Sequence, residues 1–224
     1  TERVKQERQL RSQKEQLDEF ASVVSHDLRN PLNVAQGRAE LLGRDCDSDH
    51  LAPVVQALDR MEEIVSDTLT LARQGQVVSD PEPIAIVNLV GTCWKTVRTD
   101  DATIEIVDEF TLHGDRGRLQ HLFENLFRNA VEHGGPNLTV RVGRLGDDGM
   151  YVEDTGSGIP EDDRETVFDP GHTSASGGTG FGLTIVKRIA EAHGWGVKAV
   201  EGDDGGARFE FSSLSLGQNA SIGG

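Results

Sequence analysis

Apolar residues along the first seventy positions recur at steps of three and four. Leu10, Leu17 and Val24 lie seven apart, and Phe20, Leu28, Leu32 and Ala35 continue the stripe among charged neighbours. Such spacing keeps one apolar face on a helix, and repeated heptads predict a coiled-coil seam. Gly43 and the aspartate-rich stretch 45–49 break the pattern. A second stripe, Val54, Leu58, Met61, Val65, Thr68 and Ala72, predicts another helix from about Leu51 to Arg73. Two helices joined by so short a loop form an antiparallel hairpin. One hairpin cannot bury both seams, so the expectation is a homodimer whose two hairpins make a four-helix bundle.

Beyond a linker at 75–83, GQVVSDPEP, the pattern changes. Short strand-like runs at 84–88, 103–107, 138–142, 150–154, 196–200 and 207–211 alternate with helical stretches at about 89–98, 116–133 and 181–193. This reads as α+β, a mostly antiparallel sheet covered by helices on one face, an α/β sandwich. The expected organisation is an input coiled coil and hairpin at 1–74, the linker, a second domain at 84–216, and a disordered tail at 217–224.

Charge removes several function classes. The 224 residues carry 38 acidic and 22 basic side chains, a net −16. So acidic a chain is a poor partner for nucleic acid or anionic lipid. Only Lys5, Lys14, Lys95, Lys187 and Lys198 supply lysine. Many acids with few lysines suit high salt, where repulsion is screened, so a halophilic source, expected to be archaeal, stands beside the alternative of an ordinary acidic cytoplasmic protein. No apolar run approaches the ~20 residues that span a bilayer. The opening TERVKQERQLRSQKEQ reads as the middle of a helix, so an upstream sensor domain is expected and this portion is expected to be cytoplasmic. Cys46 and Cys93 match no metal or redox spacing and read as free thiols.

Candidate chemistry begins at SHDLRNPL, residues 25–32. His26 is two residues from both Val24 and Leu28, so at ~100° per residue it projects away from the seam. Asn30 is four residues on and shares that face. Asp27 can hold one ring nitrogen as N–H and leave the other as nucleophile. Pro31 removes a helix hydrogen bond and predicts a kink. The string resembles the H-box of histidine kinases of the HisKA type. That resemblance implies that His26 accepts phosphate, that Asp27 assists proton removal, and that Asn30 positions water when the enzyme dephosphorylates its partner.

Four further segments follow. HLFENLFRNAVEH, 121–133, places Asn125 and Asn129 on one helical face, where two amides suit hydrated Mg²⁺ and phosphate oxygens. VEDTGSGIP, 152–160, ends a strand at Asp154 and gives way to Gly156 and Gly158. VFDP carries Phe168 and Pro170, and GGTGFGL, 177–183, opens a helix whose first N–H groups can cradle phosphate. No Gly-Lys-Ser/Thr follows, so this is not a P-loop. In this order the segments resemble the N, G1, F and G2 boxes of the GHKL nucleotide-binding fold. The resemblance implies ATP as nucleotide, Asn125 and Asn129 on Mg²⁺, and Asp154 on adenine. It adds Gly156, Gly158, Thr179, Gly180, Gly182 and Leu183 as further nucleotide contacts.

Hydrolytic members of that superfamily carry a glutamate where this chain has Asn125, and an amide cannot act as general base. Glu124 is ~100° round the helix from it. Phosphotransfer to a protein residue therefore fits better than hydrolysis, with a response-regulator receiver domain as partner. Where many members carry lysine, this chain has Glu132, so Arg128 is the candidate phosphate cation. The competing readings are a GHKL ATPase that drives conformational change and a non-catalytic dimeric scaffold.

Overall fold

The computed structural model divides the chain into two compact units, residues 1–75 and 76–224. It describes residues 28, 30–39, 41–44, 48, 50–72, 78, 80–97, 101–171 and 180–217. Leu10, Leu17, Val24, His26, Asp27, Cys46 and Thr179 lie outside the described residues.

Among its described residues the first unit has two helices, α1 (30–39 and 41–44) and α2 (Leu51–Ala72). Ser48 starts α2: its carbonyl accepts the Leu51 N–H at 2.9 Å, and its hydroxyl accepts the His50 N–H at 3.4 Å. Pro53 falls in the first turn, where a missing N–H breaks no helix bond. Leu32, Ala35, Leu58 and Val65 are half-buried and Ala39 is buried. Leu28, Val54 and Met61, all expected on the seam, are exposed, as are Val34, Leu41, Leu42 and Ile64. A single hairpin therefore leaves much of its apolar surface in water, an arrangement that favours association.

The second unit opens with β1 (Glu82–Ala85), α3 (Ile86–Thr96), β2 (Thr103–Ile106), β3 (Thr111–Gly114) and α4 (Arg116–Gly134). It continues through β4 (Thr139–Leu145), β5 (Gly149–Asp154), a 3₁₀ turn (Glu161–Asp163), α5 (Gly182–Ala192), β6 (Gly196–Glu201), β7 (Ala207–Ser212) and β8 (Leu216–Gly217). Five strands form one sheet in the order β2-β4-β5-β7-β6, antiparallel except for the β2–β4 pair. Alternation sorts its faces. Val140, Val142, Met150, Val152, Phe209 and Phe211 are buried. Between them, Arg141, Glu153, Arg208 and Glu210 hold one another in ion pairs on the opposite face. The helices bring the matching apolar stripe, including Leu119, Leu122, Phe123, Leu126, Ile185 and Ile189, all buried. This is the α/β sandwich expected from the sequence.

The structure differs from the sequence expectation in its short elements. The run 84–88 is not one strand: Ile84 and Ala85 end β1, and Ile86 starts α3. Ile86 satisfies both periods, because Ile86, Leu89, Val90 and Cys93 also form a buried helical stripe. Strand β3 was not expected. It pairs with β1 (Glu82↔Gly114, Pro83↔His113) and with β8 (Leu112↔Leu216, Thr111↔Gly217) in a three-stranded sheet. Glu82 and Pro83, read as linker, and Gly217, read as disordered tail, are therefore ladder residues. Strands of two to four residues carry too little pattern to announce themselves.

Candidate nucleotide site

Asp115 caps α4, its Oδ1 accepting the Arg118 N–H at 3.0 Å. Because the apolar stripe of α4 faces the sheet, Asn125 and Asn129 fall together on its flank. Asn125 is buried, and its Nδ2 donates to the His121 carbonyl at 2.8 Å, which fixes the amide and turns Oδ1 the other way. That oxygen faces Gly182, the first residue of α5. A Cβ at Gly182 would stand 3.1 Å from Asn125 Oδ1 and 4.0 Å from Asn129 Oδ1. A side chain there would fill the cradle, so glycine keeps it open.

Helix α5 begins without a side-chain cap from Phe181. An anion beside the two amide oxygens would face the positive end of this helix. Thr184, buried in the first turn, anchors this end by donating its hydroxyl to the Phe168 carbonyl at 3.0 Å. Phe168 in turn packs edge-on against Phe209, ring centres 6.2 Å apart. Leu183, the next residue after Gly182, is half-buried. Gly171 donates its N–H to the Gly180 carbonyl at 3.0 Å.

Asp154 ends β5 on the inward face, two residues beyond buried Val152. Its Oδ1 accepts the Gly156 N–H at 2.8 Å and the Ala207 N–H at 3.2 Å. Oδ2 has no hydrogen-bond partner among the described residues. Burial raises the pKa of this carboxyl above its ordinary value, with the two N–H groups opposing. Gly156 lies against the end of α4, where a Cβ would come 2.5 Å from Gly134 Cα. Nine helical steps lead from Asn125 to Gly134, a rise of ~13 Å. One helix therefore carries an amide cradle at mid-length and abuts a buried carboxylate at its end, a spacing suited to an extended nucleoside triphosphate.

The remaining candidates sort clearly. Glu124 turns to α3, its Oε1 accepting the Thr96 hydroxyl at 3.2 Å, away from the Asn125 cradle. Arg128 is half-buried and Glu132 exposed on α4. Burial, with Glu124 nearby, pushes the Cys93 thiol up to about 12, so it is no nucleophile. Asn30 is exposed on α1. Sequence reasoning missed Thr184, Gly134 and the β6–β7 turn. The string GDDGGAR, 202–208, announces a turn but not its neighbour.

Residues 114–218 match the family described as histidine kinase-, DNA gyrase B-, and HSP90-like ATPase, and residues 16–76 match the His Kinase A (phospho-acceptor) domain. Among curated proteins, the methanogenesis regulatory histidine kinase FilI of Methanothrix harundinacea is 32% identical over 202 residues, covering 80% of this chain and 22% of its own length. The sensor histidine kinase ZraS of Klebsiella oxytoca is 29% identical over 211 residues, 87% of this chain and 45% of its own. The sensor-type histidine kinase PrrB of Mycobacterium leprae is 31% identical over 206 residues, 85% and 46% respectively. The chain thus spans less than half the length of these relatives. The fold recurs in full-length ShkA, solved in complex with AMPPNP, with TM-score 0.64 and 22% identity over 89% of this chain and 46% of that one. It recurs also in the mycobacterial sensor histidine kinase MprB, with TM-score 0.54 and 24% identity over 60% of this chain and 97% of that one.

The second unit therefore belongs to the histidine kinase, gyrase B and HSP90-like ATPases. Joined to a phospho-acceptor domain, it makes this chain a histidine kinase core.

Proposed function

We propose that this core binds Mg-ATP in the second unit and transfers the γ-phosphoryl group to His26. The observation that carries the reading is the convergence of Asn125 and Asn129 on Gly182 at the start of α5. Among the described residues no cluster of three or more His, Cys, Asp or Glu side chains is placed to hold a metal ion. The two amide oxygens supply the neutral ligands that Mg²⁺ accepts alongside waters and phosphates. When bound, Mg²⁺ neutralises charge on the phosphates. Asn125 and Asn129 orient that end of the nucleotide, with Arg128, Gly180, Gly182 and Leu183 around the phosphates and Thr179 as a further contact. At the other end Asp154 Oδ2 accepts the adenine amine, with Gly156 and Gly158 admitting the base. Asn125 cannot take a proton from water, so hydrolysis is disfavoured and an imidazole is the acceptor. His26 attacks the γ-phosphorus in line as the bond to the bridging oxygen breaks and ADP leaves, with Asp27 holding its other ring nitrogen. The phosphoryl group then passes to an aspartate of a response-regulator receiver, and Asn30 orients water in the reverse, phosphatase direction.

The exposed apolar residues of α1 and α2 support a homodimeric four-helix bundle, driven upstream by a coiled coil and sensor domain. No helix among the described residues is long and apolar enough to cross a membrane, and we place this portion in the cytoplasm, where ATP and receivers reside. The net charge of −16 supports a source that lives in high salt. The deciding experiment is incubation with γ-labelled ATP and Mg²⁺. The chain should acquire acid-labile label, and His26→Gln should abolish it while ATP still binds. Label persisting in His26→Gln would overturn the assignment.

A further inference from the structure

The turn joining β6 to β7 is closed by two hydrogen bonds, Gly202 N–H to the Gly206 carbonyl at 2.8 Å and Gly205 N–H to the Gly202 carbonyl at 3.0 Å. It lies against Asp154. Ala207 donates its N–H to Oδ1, and a Cβ at Gly206 would overlap the Asp154 carbonyl oxygen. The turn also touches the glycine loop: a Cβ at Gly158 would stand 2.5 Å from the Gly205 carbonyl oxygen. The backbone of this turn thus packs on both the carboxylate and the loop that follows it.

The same turn is clamped by arginines, two of them on the charged face of the sheet and one just after the 3₁₀ turn. Arg141, midway along β4, reaches Asp204 at 2.6 Å and Glu105 at 3.2 Å. Arg208 lies 3.9 Å from Asp203. Arg164 joins Glu201 at 3.1 Å and donates its Nε to the Ile159 carbonyl at 3.0 Å, tying the glycine loop to the start of the turn. Three arginines from three places in the sequence therefore hold three acids of one short segment.

We propose that the β6–β7 turn is a positioning element for base recognition, and that Arg141, acting through Asp204, keeps Asp154 Oδ2 aimed at the base from across the sheet. The proposal rests on the reading of Asp154 as the adenine carboxylate. If the turn slackens, Oδ1 loses the Ala207 N–H and keeps only the Gly156 N–H, so the carboxylate is held by one bond instead of two and Oδ2 is less firmly aimed. Adenine, which offers an amine donor, then loses its partner. Hypoxanthine, which presents an oxo acceptor at the same position, has no bond to Oδ2 to lose. Base discrimination is therefore the property that the turn controls.

Binding of Mg-ATP and Mg-ITP to the full chain, measured by titration calorimetry, tests this. Asp204 is 54% exposed, so Asp204→Ala folds, and it and Arg141→Met should lower the ATP-to-ITP affinity ratio by about three- to tenfold. ITP affinity should stay within about twofold. Gly206→Ala should lower the ratio by at least about tenfold, and Arg141→Lys should recover part of it. A ratio unchanged in Asp204→Ala and Arg141→Met, whether both affinities fall together or neither moves, overturns the proposal. Wild type that fails to prefer ATP, or Asp154→Asn that keeps the preference, overturns the underlying reading of Asp154 instead.

Discussion

Asp115 donates its backbone N–H to Nε2 of His193 at 3.0 Å, while the other ring nitrogen lies 2.8 Å from the Ile189 carbonyl. The first bond requires Nε2 to be unprotonated, so the proton sits on Nδ1 and both ring nitrogens are satisfied by a neutral imidazole. The ring also stacks on Trp195, centres 4.6 Å apart. It ties the C-terminal end of α5 to the residue that caps α4.

Burial holds His193 below its ordinary pKa, with the Ile189 carbonyl opposing, Arg118 reinforcing and Asp115 opposing. A histidine depressed in the folded state binds its proton first in the unfolded chain. Its stabilising effect is complete above the unfolded value of ~6.5 and is lost as pH falls from there through the folded value. Thermal unfolding between pH 8 and 5 should therefore show stability declining below about 6.5. His193→Gln should be less stable at pH 7 by about 1 kcal/mol and should show a flatter acid slope. Equal slopes in the two proteins would remove His193 as the source.

Gly182 is the residue on which the phosphate cradle depends. Alanine is a better helix former than glycine, and at the start of α5 its backbone φ requirement is ordinary, so Gly182→Ala should not weaken the helix. Its Cβ would nevertheless stand 3.1 Å from Asn125 Oδ1, in the space between the two amides. The expected result is an unchanged or slightly raised unfolding temperature with at least about tenfold weaker Mg-ATP binding. Fluorescent-nucleotide titration beside a melting curve separates the two effects, and undiminished binding would show that phosphate lies elsewhere.

Asp154 carries the opposite trade. Its carboxyl is pushed above the usual carboxylate range by burial, so the ionised form is costly to the fold at neutral pH. Asp154→Asn can still accept from Gly156 and Ala207 through Oδ1, but it turns an NH₂ toward the adenine amine, donor facing donor. We expect an unfolding temperature equal to or above wild type, with ATP affinity reduced by about a hundredfold. Calorimetry on the same preparation measures both, and retained affinity would dismiss the carboxylate from base binding.

The long elements were legible because their patterns are. The predicted 116–133 and 181–193 match α4 and α5 to within a residue at each end, since Leu119–Phe127 and Thr184–Ala190 carry helical stripes of buried residues. The pairing of Asn125 with Asn129 followed from the same period. What escaped was set by distant partners. Ile86 fits strand and helix alike, and its choice follows from the buried stripe through Cys93 and from its bond to the Phe110 carbonyl at 3.0 Å. Thr184 reads as one more helix residue until Phe168 supplies its acceptor. Gly206 reads as turn chemistry until β7 pairs with β5, Val152 opposite Phe209, and brings the turn to Asp154.

Buried and exposed ion pairs of this protein should respond very differently to removal. Glu153 is 4% exposed and Arg208 13%, their atoms 2.9 Å apart, and the Arg208 guanidinium lies 3.8 Å over the Tyr151 ring. Arg116 and Glu82 are also 2.9 Å apart but 52% and 53% exposed. In Arg208→Met the Glu153 carboxylate stays buried with only Arg141, at 3.6 Å, to answer it. Denaturant unfolding should register a loss of roughly 2–4 kcal/mol, somewhat under the ~3–5 of a fully orphaned buried charge. Arg116→Met should cost under ~1 kcal/mol, and less still in molar salt. Adding Glu153→Leu to Arg208→Met should restore most of the lost stability, because no buried charge is then left without a partner. A double variant as unstable as Arg208→Met alone would mean that the stacking on Tyr151, not the ion pair, holds this face of the sheet.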